Sequence, residues 1–308
     1  MEIQKNEYSY PSQTGVEKIY ARSFMPSQKP RAVFQIAHGM AEHGDRYDEF
    51  ALFLAERGFA VYVIDHPGHG RSANPDDYGF FGERDGWSAV VSDNKLLTDI
   101  ARNEHPDTPV IFFGHSMGSF VARIYAERYG KDLAGAIFCG TSGPNPISGL
   151  GIAIAGLIAK LRGSRYRSGF LNNMAFGSYN KRTADRTKFD WLSVNEKNVD
   201  DYIADPACGY IFTAAGLRDV STLLSKANSA QWHQNLPKSL PILLIAGQED
   251  PVGLYSKGVT QVFEQLQTGG QENVQCKLYP GLRHEILNED SRGDVYSDIL
   301  AWCETIVA

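Results

Sequence analysis

Between Val110 and Phe120 the chain reads VIFFGHSMGSF, an apolar run broken by a serine between two glycines. Gly114-His115-Ser116-Met117-Gly118 has a strand-like run before it and a helix-period segment directly after it. A nucleophile elbow needs that context, because flanking glycines leave room for a turn sharp enough to project a strained serine. The five-residue motif alone recurs by chance; the strand and helix around it give it weight. A helix beginning at Met117 also aims unpaired N–H groups and a positive dipole end at developing negative charge.

A serine hydroxyl is a poor nucleophile near neutral pH and needs a base, which needs an orienting carboxylate. Elbow hydrolases supply these in the chain order Ser, acid, His, after later strands. Here LLIAGQED places Glu249 and Asp250 after one late apolar run, and LYPGLRHE places His284 after the last. Asp250 is the preferred acid, since its arm is shorter and stiffer, and Glu249 reads as a solvated neighbour. His105 and His233 lie in polar contexts, while His66 and His69 belong to a turn. Acyl transfer also needs two converging backbone donors; the N–H of Met117 is one, and that of Met40 in AHGM is the other.

Metal and dinucleotide chemistry find no support. HGMAEH lacks the His-Glu-x-x-His register, DHPGHG has no matching cluster, and no Gly-x-Gly-x-x-Gly follows a strand. No metal and no cofactor are expected.

These residues need a scaffold, and the apolar runs supply it. AVFQIAHG (32–39), AVYVIDHPGHG (60–70), PVIFFGHS (109–116), AGAIFCG (134–140), PILLIAG (241–247) and VQCKLYPG (274–281) read as strands, most followed by a helix-period segment. Val295, Ile299, Trp302 and Ile306 mark one face of a closing helix. The expected fold is α/β, a mostly parallel sheet covered by helices. The alternation fails from 145 to 233, which predicts a cap inserted into a core made of residues 1–144 and 234–308, over the carboxyl ends of the strands.

A net charge of −6 over 308 residues, with 43% hydrophobic and 21% charged residues, suits an ordinary globular protein and disfavours nucleic acid as a partner. The first residues, MEIQKNEYSYPS, lack the apolar core of a signal peptide, and no run reaches the ~18 residues of a membrane span. Four scattered cysteines form no CxxC pair, which fits reduced thiols and a cytoplasmic location. Residues 149–159 carry no charge, and Lys160, Arg162, Arg165 and Arg167 follow. A helix apolar all round is buried or touches lipid, so 149–167 is a candidate for peripheral membrane contact or for the roof of an acyl tunnel.

With these residues in place, the chain resembles the monoglyceride lipase and lysophospholipase branch of the α/β-hydrolase superfamily. The resemblance rests on HGMAEHGDRYDEFALFLAERGFAVYVIDHPGHGRS, GHSMGS, GQEDPVG and YPGLRHEILNE, and spans about residues 15 to 306. It implies an α/β-hydrolase fold, a triad of Ser116, Asp250 and His284, and oxyanion donors at Met40 and Met117. It also implies that Glu42, Arg46 and His115 line a glycerol pocket, and that the substrate is a single-chain acyl-ester lipid. A small-ester carboxylesterase, an aminopeptidase on the same scaffold, and an inactive binding relative are the competing expectations.

Overall fold

The computed structural model describes residues 3–15, 18–146 and 148–307. The chain opens with β1 (Gln4–Pro11) and β2 (Lys18–Met25), then β3 (Ala32–Ala37), α1 (Asp48–Ala55), β4 (Phe59–Ile64), α2 (Gly86–Glu104), β5 (Val110–His115), α3 (Met117–Tyr129) and β6 (Gly135–Cys139). Next come α4 (Ser148–Arg162), α5 (Gly169–Phe176), α6 (Glu196–Ala204) and α7 (Ala214–Ala227). The chain closes with β7 (Ile242–Gly247), α8 (Lys257–Thr268), β8 (Val274–Tyr279) and α9 (Arg292–Val307).

All eight strands join one sheet in the order β1-β2-β4-β3-β5-β6-β7-β8. The six from β4 to β8 run parallel, and β1 and β2 are antiparallel at one edge. Every apolar run read as a strand is one, and β3 to β7 are buried along their whole lengths, as strands covered on both faces must be. The β1–β2 hairpin was not legible. In β1 only Tyr8 and Tyr10 form an alternating apolar pair, and most of its residues are exposed or half-buried at the edge. The closing helix buries Val295, Ile299 and Trp302 as its spacing predicted.

Strand order reverses between β3 and β5, since β4 lies on one side of β3 and β5 on the other. Loops leaving neighbouring strands diverge at such a point and open a crevice at the carboxyl end of the sheet. The register pairs Ala37 with Gly114 and His115 with Cys139, which sets the turns after β3, β5 and β6 side by side.

The segment between β6 and β7 holds helices α4 to α7. Helix α4 packs on α7, which in turn packs on α3. Only Ala155 of α4 is buried, while Ile154 and Ile158 are half-buried against the core. Leu150, Leu157 and Leu161 are 61%, 56% and 70% exposed. The helix expected to be apolar all round therefore buries one face and leaves another bare. Of the basic residues that follow, Arg165 pairs with Asp77, and Arg167 donates to the carbonyls of Ile211 and Asp76. The positive cluster offered to solvent is smaller than the sequence suggests. Among the described residues no helix is long and apolar enough to cross a membrane.

Candidate active site

Ser116 sits between β5 and α3 with φ 54° and ψ −118°, a backbone conformation that costs on the order of 1–3 kcal/mol for a residue with a side chain. Its N–H is held by the carbonyl of Cys139 at 2.9 Å, and its carbonyl accepts from Ser119 N at 2.8 Å and Ser119 Oγ at 2.6 Å. Both motif glycines are sterically required. A Cβ on Gly114 would lie 2.0 Å from the carbonyl oxygen of Gly118, and one on Gly118 would lie 2.0 Å from that of Ala37. The same close approach presses the first turn of α3 against the end of β3, beside the Gly39–Ala41 turn.

That turn has nearly every backbone group engaged. The peptide carrying the Met40 N–H is pinned through the Gly39 carbonyl, which accepts from His38 Nδ1 at 2.7 Å. Gly39 N donates to Glu42 Oε1 at 2.5 Å, and Ala41 N donates to His69 Nε2 at 3.4 Å. Ala41, at φ 52°, has a carbonyl that accepts from Gly209 N at 3.0 Å and from Tyr202 OH at 2.8 Å. Among the described residues the Met40 N–H has no such partner. It stays free beside Met117, whose own N–H is one of the unpaired donors of a helix start.

His38, His66 and His69 form the floor of this turn, all fully buried. His66 N donates to His38 Nε2 at 3.0 Å, His66 Nε2 donates to the His38 carbonyl at 3.2 Å, and His69 Nδ1 donates to the Pro67 carbonyl at 2.9 Å. Each ring thus uses one nitrogen as donor and the other as acceptor, the pattern of a neutral imidazole. Burial lowers the pKa of all three, that of His66 to about 3. A sequence reading that assigned His66 and His69 to a turn placed them correctly but missed what they hold.

Past β7, Asp250 is fully buried and accepts from Val252 N at 2.8 Å through Oδ1 and from His284 Nδ1 at 2.9 Å through Oδ2. A carboxylate can only accept, so the proton sits on Nδ1 and Nε2 is the free base. Glu249 is exposed and, among the described residues, its side chain makes no bond to His284. The His284 ring lies 4.7 Å from that of His115, the residue before Ser116, and 5.2 Å from that of Trp191. Among the described residues Ser116 Oγ makes no hydrogen bond to His284. Such links are often loose without substrate and tighten when it binds.

Glu42, Arg46 and His115, expected to line a headgroup pocket, form a buried network in this structure. Glu42 Oε1 accepts from Tyr47 OH at 2.8 Å and faces His115 Nδ1 at 3.3 Å, while its Oε2 lies 3.3 Å from Arg46 Nε. Arg46 Nη2 also reaches Glu285 Oε2 at 2.5 Å and Asn198 Oδ1 at 3.0 Å. Burial alone would raise the Glu42 carboxyl, but the hydrogen bond and charge of His115 and the charge of Arg46 pull it well below the usual range. Burial likewise opposes charge on His115, and its bond to Glu42 and the Glu42 and Glu285 charges outweigh that and raise its pKa. With His115 protonated, two carboxylates face two cations and the buried cluster is neutral. Tyr47 and Glu285 were missed as members, although each stands in a quoted motif.

All four cysteines are free thiols. Among the described residues, the group best placed to ligate a metal is His43, Asp205 and Cys208, with ligand atoms within 4.8 Å of one another. His43 Nε2 is already engaged by Asp205 Oδ2 at 2.8 Å.

A mostly parallel eight-stranded sheet flanked by helices, with a strained serine at a strand–helix elbow and an Asp–His pair on the loops after the last two strands, defines an α/β-hydrolase. The chain belongs to the family described as serine aminopeptidase, S33, whose model matches residues 28–291. It is 29% identical over 300 residues to the monoacylglycerol lipase of Mycolicibacterium smegmatis, covering 97% of this chain and 96% of that one. It is 27% identical over 296 residues to human monoglyceride lipase, covering 92% and 86%. Among solved structures, a highly thermostable carboxyl esterase from Bacillus coagulans in complex with glycerol superposes over 100% of both chains, with a TM-score of 0.93 and 32% identity.

Proposed function

We propose that the protein is a serine carboxylester hydrolase that cleaves the acyl ester of single-chain lipids, monoacylglycerols foremost. The reading rests on the buried Asp250–His284 pair beside a strained serine and a turn whose unengaged N–H is that of Met40. Ser116 Oγ attacks the ester carbonyl as His284 Nε2 takes its proton, and Asp250 stabilises the resulting imidazolium. The N–H groups of Met40 and Met117 hold the developing oxyanion. His284 then protonates the leaving alcohol, and water releases the fatty acid by the same steps in reverse. Glu42, Arg46 and His115 form the wall behind the headgroup and hold the turn on which the ester rests.

Substrate class comes from the lipase relatives and from the bare leucines of α4. We propose that residues 145–233 cover the site and that 149–167 touches the lipid surface from which the substrate is drawn. A small-ester carboxylesterase is the second reading, favoured by the 32% identity to the Bacillus coagulans enzyme. An aminopeptidase needs a free anionic group for the substrate ammonium. Glu42 and Glu285 are both committed to Arg46, which disfavours it.

The test is a hydrolysis panel of monoacylglycerols, lysophosphatidylcholines, short nitrophenyl esters and aminoacyl amides, with fluorophosphonate labelling. Monoacylglycerols should give the highest kcat/KM, and Ser116→Ala should lose about 10⁴-fold or more while remaining folded. Equal kcat/KM on short esters would favour the second reading. Retention of a tenth of the activity by Ser116→Ala would end the serine assignment.

A further inference from the structure

Residues 189–209 build a small core of their own. Leu192, Tyr202 and Cys208 are buried with Phe189 and Trp191 packed against them, and the rings of Phe189 and Tyr202 lie 5.2 Å apart. This core is fastened to the main body on two sides. On the first, Glu285 N donates to the Leu192 carbonyl at 2.7 Å, and Arg283 Nη1 donates to those of Asp190 and Ser193 at 2.6 and 2.9 Å. The Glu289 carboxylate accepts from Val194 N at 2.9 Å and Asn195 N at 3.1 Å. These anchors all lie on the loop that carries His284. On the second side, Tyr202 OH and Gly209 N converge on the Ala41 carbonyl, and Asp205 holds His43.

The second attachment has a mechanical effect. A left-handed backbone at a residue with a Cβ persists only where neighbours over-determine it. At Ala41 those neighbours are His69 on the N–H and Tyr202 with Gly209 on the carbonyl. Loss of the phenol leaves a single donor on that carbonyl and lets the turn relax toward an extended conformation. The Met40–Ala41 peptide would turn with it, and the Met40 N–H, one peptide earlier and held only through the Gly39 carbonyl, would lose part of its aim toward Ser116.

We propose that residues 189–209 are a fixed part of the catalytic machinery rather than of a moving cover, and that Tyr202 is a positioning residue of the oxyanion turn. This rests on the assignment of Met40 as an oxyanion donor. Among the described residues, helices α4 and α5 make no hydrogen bond to the Gly39–Ala41 turn or to the His284 loop, so opening of the segment between β6 and β7 falls to them while 189–209 stays seated.

The test compares Tyr202→Phe with Tyr210→Phe. Tyr210 directly follows that segment, and its hydroxyl donates to the Gly68 carbonyl at 3.2 Å rather than to that of Ala41. Tyr202→Phe should lower kcat about tenfold with KM nearly unchanged, a fraction of the ~10²–10³ lost when an oxyanion donor is deleted outright. Its affinity for a trifluoromethyl ketone, which mimics the oxyanion, should fall by the same factor. Tyr210→Phe should match wild type in both. Wild-type kcat and inhibitor affinity in Tyr202→Phe, or equal losses in both variants, would overturn the proposal. Activity retained by Ser116→Ala would instead overturn the underlying mechanism, so the two failures are distinguishable. Hydrogen exchange on the unmodified protein is the second measurement. Amides of α6 should exchange at least tenfold more slowly than those of α4, and equal rates would refute a fixed 189–209.

Discussion

Asp250 Oδ2 lies 2.9 Å from Nδ1 of His284, and the two side chains are 0% and 3% exposed. Held so, the imidazole has one orientation and one tautomer. Asp250→Asn should lower kcat by about 10⁴-fold, because an amide that donates to Nδ1 puts the proton on the wrong nitrogen. Glu249→Gln, on an exposed side chain one residue earlier, should change kcat less than twofold, roughly the scale of a neutral surface substitution. Steady-state kinetics of the two variants decide it, and the reverse order would move the acid by one residue.

Protons report on the floor of the Gly39–Ala41 turn. His38, His66 and His69 are buried and neutral when folded, with pKa values lowered by burial, whereas unfolded each binds a proton below about 6.5. The unfolded chain then holds the extra protons, so stability falls as pH drops below that value. His115 has the opposite sign. Its raised folded value gives stability that is complete below about 6.5 and is lost as pH rises through the folded pKa. Below 6.5 His115 is protonated in both states and cancels. The three neutral rings leave a slope on the order of 4 kcal/mol per pH unit, an upper figure. Urea midpoints measured from pH 7 to 5.5 should fall steeply, and a level profile would contradict neutral rings at these positions.

Arg123, on α3, is fully buried and, among the described residues, pairs with no carboxylate. Its guanidinium donates to the Ser142 carbonyl and to Asn228 Oδ1, both at 2.9 Å, and to the Ala227 carbonyl, and it stacks 4.1 Å from the centre of the Trp232 ring. It thereby ties both ends of the segment between β6 and β7 to the helix that begins after Ser116. A lysine would keep the charge and lose the planar fork. Arg123→Lys should therefore destabilise the protein by about 2–4 kcal/mol, read as a lower urea midpoint with an unchanged slope. A shift of under half a kcal/mol would mean the fork is dispensable.

Vesicle binding tests the lipid contact. Leu150 and Leu157 are exposed on α4, so a variant carrying Leu150→Ser and Leu157→Ser should fold normally and sediment less with vesicles. With Arg165 and Arg167 occupied within the protein, Lys160 and Arg162 remain to add about 1 kcal/mol each on anionic lipid. Sedimentation should thus depend more on the leucines than on salt. Identical sedimentation of the two proteins would remove this surface from consideration.

The central strands were legible because a strand covered on both faces is mostly apolar, and β3 to β7 are, with Gln35 in β3 and His115 at the end of β5 as exceptions. That Ser116, Asp250 and His284 each follow a strand of the sheet was legible because their order and their places after apolar runs are local features. The β1–β2 hairpin was hidden by an edge position that tolerates polar residues. Tyr202, Glu285 and the buried histidines were hidden for another reason. Tyr202 meets Ala41 across 161 positions of chain, and neither spacing nor period records such a meeting. For α4 the composition foretold an apolar helix, and only packing against α7 decided which leucines stayed bare.

The two attachments of residues 189–209 also bear on how such an enzyme changes its diet. A stretch bonded to both the His284 loop and the Ala41 turn cannot drift without disturbing both. Helices α4 and α5 carry no such obligation to the turn or to the base. Variation in substrate range should therefore accumulate in the first half of the segment between β6 and β7. A graft meant to redirect this hydrolase should replace residues 148–176 and leave the chain from Phe189 to Gly209 as it stands.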